Sequence, residues 1–203
     1  MEKLIIPEKA IKVVRGTAIP KPENDQNTDD IVPARFLKEI TFGRMGEYVY
    51  ADERARDGTA HPFNDLAYEG SNILIAGANY GCGSSREHAP QALQRFGIAG
   101  IVAESYAEIF AGNCASLGVV GVTIPAKEIS LLAEYVQKNP LTEIKIDLEK
   151  KVITYNGTTL TFDILEGRRQ AFLDGTWDAL AVLYQNLEEV ERISKKIPYI
   201  NFK

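Results

Sequence analysis

The sequence is poor in the residues that ligate metals and that staple small folds. Among 203 residues there are two cysteines and two histidines, namely Cys82, Cys114, His61 and His88. A tetrahedral zinc or iron-sulfur site draws on three or four Cys or His ligands at short, recurring spacings. These four follow no such spacing, so no metal is expected on this chain, and any metal the protein uses belongs to a partner. Two cysteines give no disulfide framework of the secreted kind, and the reduced state is expected. Basic charge is also scarce: 23 lysines and arginines stand against 28 aspartates and glutamates, a formal charge of -5. That argues against a nucleic-acid partner, which needs a basic surplus to meet its phosphates. No apolar run approaches the roughly 20 residues that span a bilayer. The opening MEKLIIPEKAIK has no apolar stretch followed by a cleavage site. A soluble, cytoplasmic protein without membrane attachment is the expectation.

What is present suffices for a buried core, since 45% of residues are hydrophobic and the length sits at the upper end of one ordinary domain. A single domain over residues 1–203 is expected, with its core over about 10–165 and a helical extension over about 166–203. Ala10 to Ile19 reads as a strand pair or bent strand ended by Pro20-Lys21-Pro22. A polar loop from Glu23 then delivers Asn27-Thr-Asp-Asp-Ile-Val-Pro33, and the turn-rich stretch Tyr48 to Asn64 suggests irregular surface structure.

From Asn72 the pattern sharpens. Asn72-Ile-Leu-Ile-Ala76 is a short apolar run opening into glycine, as a buried strand does. Beyond a glycine-rich turn, Ala89, Ala92, Leu93 and Phe96 share one helical face, with Pro90 tolerated in a first turn. Ile101-Val-Ala103 repeats the strand theme, and Ser105-Tyr-Ala-Glu108 reads as a capping box opening a helix that ends near Gly118. Val119 to Ile124 is another strand, followed by a helix with Ile129, Leu132, Ala133 and Val136 on one face, stopped at Asn139-Pro140. Strands alternating with helices predict an α/β fold with a largely parallel sheet. Asn156-Gly157 between alternating apolar runs predicts a C-terminal β-hairpin. The tail containing Phe172, Trp177, Leu180, Leu183 and Tyr184 is expected to be helical and to pack back on the domain.

The chemistry concentrates in Asn79 to His88, NYGCGSSREH. A helix start offers unpaired N–H groups and partial positive charge, a seat for a carboxylate or phosphate. Gly81 and Gly83 let the backbone approach a ligand, Ser84 and Ser85 add hydroxyls, and Arg86 can grip a carboxylate with two parallel hydrogen bonds. The same field would favour a serine alkoxide over a hydroxyl, as a proton-abstracting serine requires. Against this stands a structural alternative, in which Ser84 caps the helix, Arg86 pairs with Glu87 or a neighbour, and the glycines only turn the chain. A Walker A loop, which needs Gly-Lys-Ser/Thr, and a Rossmann loop, which needs a third glycine, are both excluded.

The run Asn79 to Leu93, NYGCGSSREHAPQAL, resembles the signature of the swivelling domain of the aconitase superfamily, in particular the isopropylmalate isomerase small subunits. Asn27 to Pro33 resembles the Asp-Thr-Asp-x-Ile-x-Pro segment of that family, with Asn27 where Asp is usual. Ile101 to Cys114 and the tail Arg168 to Tyr199 are also similar, whereas Leu117-Gly-Val-Val-Gly121 departs from a common Asn-Gly-Leu-Leu-Pro stretch. The resemblance implies a three-layer β/β/α domain. It also implies a hydro-lyase isomerising 2-isopropylmalate to 3-isopropylmalate through 2-isopropylmaleate in leucine biosynthesis, active only with a separate large subunit that carries a 4Fe-4S cluster. It further implies that Ser84 is the base, that Ser85, Arg86 and Gly83 bind a small dicarboxylate, and that Asp29 and Thr28 support them; His88, in the first turn, is read either as a supporting residue that orients a carboxylate or, at least as readily, as making a structural hydrogen bond within the helix. Phe36, Leu37 and Lys38 would lie near the substituent that sets selectivity, though two apolar residues such as Phe36 and Leu37 are more often simply core. A homoaconitase or a citraconate or methylmalate hydratase small subunit remains an alternative, as does a free-standing anion-binding module. Cys82, beside the turn, reads as a packing residue rather than a reactive thiol, and His61 carries no motif.

Overall fold

A computed structural model describes residues 10–39, 42–84 and 86–197. Among these residues, eight strands form two four-stranded sheets. β2 (Ala18–Lys21), β3 (Ile73–Ala76), β4 (Gly100–Ala103) and β5 (Val120–Thr123) lie side by side in chain order, all parallel. β1 (Val13–Gly16), β6 (Ile144–Asp147), β7 (Val152–Tyr155) and β8 (Thr158–Thr161) make an antiparallel sheet in the order β1-β6-β7-β8. The expected hairpin is present as β7 and β8, turned by Asn156 and Gly157 at φ 40° and 76°, as a two-residue hairpin with both φ positive requires. It is one part of a larger sheet completed by β1. The stretch Ala10 to Ile19 is thus two strands in two different sheets. Pro20 does not end the second of them: β2 continues to Lys21, with Pro20 opposite Ile75. It is tolerated because β2 is an edge strand, where a missing N–H leaves no ladder bond unmade.

The parallel sheet is the middle layer, because alternate side chains of its strands enter two separate cores. Ile73, Ile75, Val102, Val120 and Val122 point to one side, among Ile144, Ile146 and Ile153 of the antiparallel sheet and Ile129, Leu132, Ala133 and Val136 of α5 (Ala126–Lys138). Leu74, Ala76, Ile101 and Ala103 point to the other, among residues of α3 (His88–Phe96) and α4 (Glu108–Ser116). Burying such a side chain contributes roughly 1.5–3 kcal/mol each, and strands hydrophobic on both faces are what a sheet covered on both sides needs. The architecture is α/β with three layers, β/β/α.

Two local expectations are corrected. The stretch Tyr48 to Asn64 is not merely irregular surface: it holds α2 (Ala51–Asp57) and buries Val49, Tyr50, His61 and Phe63. Together with Met45 these side chains extend the second core over α3. The Ser105-Tyr-Ala-Glu108 capping box does not form, since α4 starts at Glu108 with Ala107 as its N-cap. The Ser105 hydroxyl instead accepts the Asn79 N–H at 2.8 Å.

The tail is helical, as α6 (Glu166–Asp174), α7 (Ala179–Gln185) and α8 (Leu187–Ser194). Phe172 enters the first core and Trp177 packs on its border. Leu180, Leu183 and Tyr184 do not pack back as expected, and they are more than half exposed.

Candidate active site

The parallel strands all end on one edge of their sheet, and the loop after β3 rises from that edge, where open α/β sheets present their ligand sites. Its root is held from several sides. Tyr80 is fully buried, its hydroxyl 2.9 Å from that of Tyr50 and its ring edge-on to Phe110. Its N–H donates to the Ser105 carbonyl at 3.0 Å, and its own carbonyl accepts from the Ala107 N–H. Burial pushes both phenols well above their ordinary range, so they stay neutral.

Gly81 follows at φ 76°, donating its N–H to the Gln26 carbonyl. A Cβ here would stand 2.1 Å from the Phe110 ring, so the position demands glycine for both its backbone and its space. Gly83, at φ 91°, is exposed and lies over Asn27 and Thr28. Cys82 pairs across to Asn27 in an isolated parallel bridge, its carbonyl accepting from the Thr28 N–H at 2.9 Å. Its Sγ donates to the Asp25 carbonyl, and burial pushes the thiol up rather than down, so a packing role holds.

The sequence segment Asn27 to Pro33 is thereby brought against the loop. Its first turn is α1 (Thr28–Ile31), closed by a reciprocal cap. The Asn27 side-chain oxygen accepts from the N–H groups of Asp29 and Asp30 at 2.7 and 3.0 Å, and Asp30 Oδ2 accepts from the Asn27 N–H. Asparagine caps as well as aspartate does, which accounts for its acceptability at this position. The cap sets the two neighbours that touch the loop. Thr28 Oγ1 donates to the Ser84 carbonyl at 3.0 Å, and Asp29 Oδ1 pairs with Arg86 Nη1 at 2.6 Å. The Arg86 N–H also donates to the Ser84 carbonyl, at 2.8 Å.

Ser84 is therefore an exposed residue on an anchored backbone, next to a guanidinium held by a carboxylate. It does not cap α3: that helix starts at His88 with Glu87 as its N-cap, and among the described residues no side chain caps it. The positive charge nearest Ser84 in sequence is that of Arg86, which is paired with Asp29. Ser85 lies outside the described residues. His88 packs edge-on to Phe42 at 5.3 Å, and its buried Nδ1 has no hydrogen-bond partner among the described residues. Phe36 and Leu37 are half-buried and Lys38 exposed, in a 3-10 turn over Ala34–Lys38. Phe36 stacks on Tyr48 at 4.0 Å beneath the Arg35 guanidinium. Among the described residues no hydrogen bond links this turn to the loop of Ser84.

Sequence reasoning missed Phe110, Tyr50 and Gln26, which hold the loop from below. Packing contacts between distant segments leave no local signal. The Asn27-to-Asp30 cap was in principle visible as a capping-box spacing.

Among the described residues no group of three or more His, Cys, Asp and Glu could hold a metal, and both cysteines are free. Cys114 is fully buried with its thiol pushed strongly up, the reverse of a thiolate ligand. The chain's own donors do not fit a 4Fe-4S cluster. No helix among the described residues is long and apolar enough to cross a membrane.

Residues 8–127 match the family described as the aconitase C-terminal domain. The chain is 40% identical to the 3-isopropylmalate dehydratase small subunit of Synechocystis sp., over 95% of this chain and 96% of that one. It is also 40% identical to the small subunit from a strain of Thermus thermophilus, over 92% and 94%. A solved structure of 3-isopropylmalate dehydratase from Methanocaldococcus jannaschii shares the fold, with a TM-score of 0.65 at 24% identity, covering 90% of this chain and 99% of that one.

Proposed function

Because the chain belongs to the family of 3-isopropylmalate dehydratase small subunits, built on the aconitase C-terminal domain, we propose that it is the small subunit of a heteromeric hydro-lyase. With a large subunit it isomerises 2-isopropylmalate to 3-isopropylmalate through 2-isopropylmaleate, in the cytoplasm, as a step of leucine biosynthesis. The observation that carries this reading is the exposed Ser84 on a backbone anchored by Thr28, beside Arg86 braced by Asp29.

In this reading, ionised Ser84 Oγ takes the proton alpha to one carboxylate and returns it on the readdition of water. Arg86 binds that carboxylate through the guanidinium edge that Asp29 leaves open, with Ser85 as a second donor. Gly83 keeps the backbone beside the substrate free of a side chain. His88 borders the loop as a supporting residue. Phe36, Leu37 and Lys38 border the substituent by which isopropylmalate differs from related diacids. A 4Fe-4S cluster belongs to the large subunit, where it supplies Lewis acidity toward the departing hydroxyl. The helical extension beyond residue 166 belongs to the same single domain.

The test is reconstitution. The chain alone should be inactive, and mixing it with purified large subunit under anaerobic conditions should give turnover of 2-isopropylmalate, followed by absorbance of the unsaturated intermediate. Activity from this chain alone, or preferential turnover of citrate, homocitrate or citraconate, would overturn the proposal.

A further inference from the structure

The loop of Ser84 is exposed, so a partner that completes the site has to meet the carboxyl edge of the parallel sheet. Two other parts of that edge carry large apolar side chains in water. Ile109, in the first turn of α4 after β4, is 60% exposed. Leu165, at the N-cap of α6, is 62% exposed. The residue before α4's Ile109 is Glu108, and the residue after it is Phe110, whose ring supports Gly81. Leu165 follows Asp163, which bridges Thr123 at the end of β5 through two hydrogen bonds of 2.9 Å. Ile109 therefore adjoins the residue that supports the site loop, and Leu165 lies near the end of β5 on the same sheet edge.

Between α4 and α6 runs a groove of about 460 Å³. Its floor is apolar, with Ala111, Ala115 and Phe172, and its rim carries Glu104, Glu108 and Asp163. Among the described residues the rim's one cation, Arg168, pairs with Glu108, which leaves a net negative mouth. An apolar floor within an acidic rim suits an apolar anchor flanked by lysine or arginine.

We propose that this edge, centred on Leu165 and the groove it lines, with Ile109 next to the groove's Glu108, is the docking surface for the large subunit, which inserts an apolar side chain flanked by basic residues. The proposal rests on the functional reading above. The other apolar surface is formed by Leu180, Leu183, Tyr184, Leu187 and Ile193 on α7 and α8. It follows Trp177, which packs on Gly118 just before β5 begins. A partner closing over Ser84 does not need to reach it.

The test uses full-length chain and its purified large subunit, measuring the dissociation constant and turnover of 2-isopropylmalate. Leu165→Asp places a good capping residue where α6 has none, and Ile109→Glu adds an acid to a helix first turn, which is locally favourable. Loss of association therefore cannot be ascribed to melting of either helix, and circular dichroism should match the parent. Each substitution should weaken association roughly tenfold or more, as for an interface anchor, and leave turnover at saturating large subunit unchanged. Leu183→Glu with Ile193→Glu on α7 and α8 should leave association unchanged. Parental affinity in both edge variants would overturn the docking surface while leaving the functional reading intact. Weakening by the α7–α8 variants alone would overturn it equally. A parent chain that neither binds the large subunit nor turns over substrate with it would sink the functional reading, and the docking surface with it.

Discussion

Ser84 and Arg86 share one anchor, because the Ser84 carbonyl accepts both the Thr28 hydroxyl and the Arg86 N–H. The backbone is thus set independently of the Ser84 side chain. Replacing Ser84 with alanine should preserve the loop and the complex while lowering kcat by ~100-fold or more, as for loss of a positioned base. Near-parental kinetics in the reconstituted enzyme would remove Ser84 from the chemistry. Arg86 differs, because Asp29 occupies Nη1 and leaves the rest of the planar group to a ligand. Arg86→Lys keeps the charge but cannot serve Asp29 and a carboxylate in one plane. The expected result is a KM raised by roughly tenfold, with a smaller change in kcat. An unchanged KM for the diacid would make Arg86 a structural partner of Asp29.

Among the elements, the turn at Gly81 couples the site to α4. Its positive φ and the Phe110 ring 2.1 Å from a built Cβ act together. Gly81→Ala should therefore cost about 2 kcal/mol or more, combining a left-handed alanine with overpacking. Denaturant unfolding of the free chain checks this, and a stability equal to the parent would mean that Phe110 yields without cost. This coupling also shows where sequence reading stops. Ile73–Ala76, the α5 face and the Asn156-Gly157 turn were legible because period and turn chemistry are local properties. The glycine-rich turn between β3 and α3 was legible for the same reason. Alternation tells which residues share a face, but not which strand lies alongside, so the division of residues 13–21 between two sheets was hidden. The Ser105-to-Glu108 pattern misled because the Asn79 N–H outcompeted the helix for the Ser105 hydroxyl.

Over the whole molecule, the least legible part also lies over a buried charge. The aromatic-rich stretch from Met45 to Phe63 has no steady period, yet it closes the second core. Beneath it Lys21, only 4% exposed, pairs with Glu53 at 2.7 Å, and His61 lies 3.3 Å from the same carboxylate. The His61 Nδ1 accepts the Phe63 N–H, so the ring is neutral with its proton on Nε2. Protonation would remove that acceptor and set a second cation near Lys21, with Glu53 and Asp57 offsetting part of the cost. Desolvation first, and Lys21 next, hold this histidine below its ordinary value near 6.5. The unfolded chain thus binds a proton that the folded chain refuses. The stability from neutral His61 is fully present above about pH 6.5 and is lost progressively as pH falls toward the depressed folded value. Between about pH 7 and pH 5 the Tm of the parent should fall, and the fall should be shallower in His61→Gln, which keeps a polar side chain but cannot titrate. Parallel Tm curves for the two proteins across that interval would mean that the buried ring is not what makes this fold sensitive to acid.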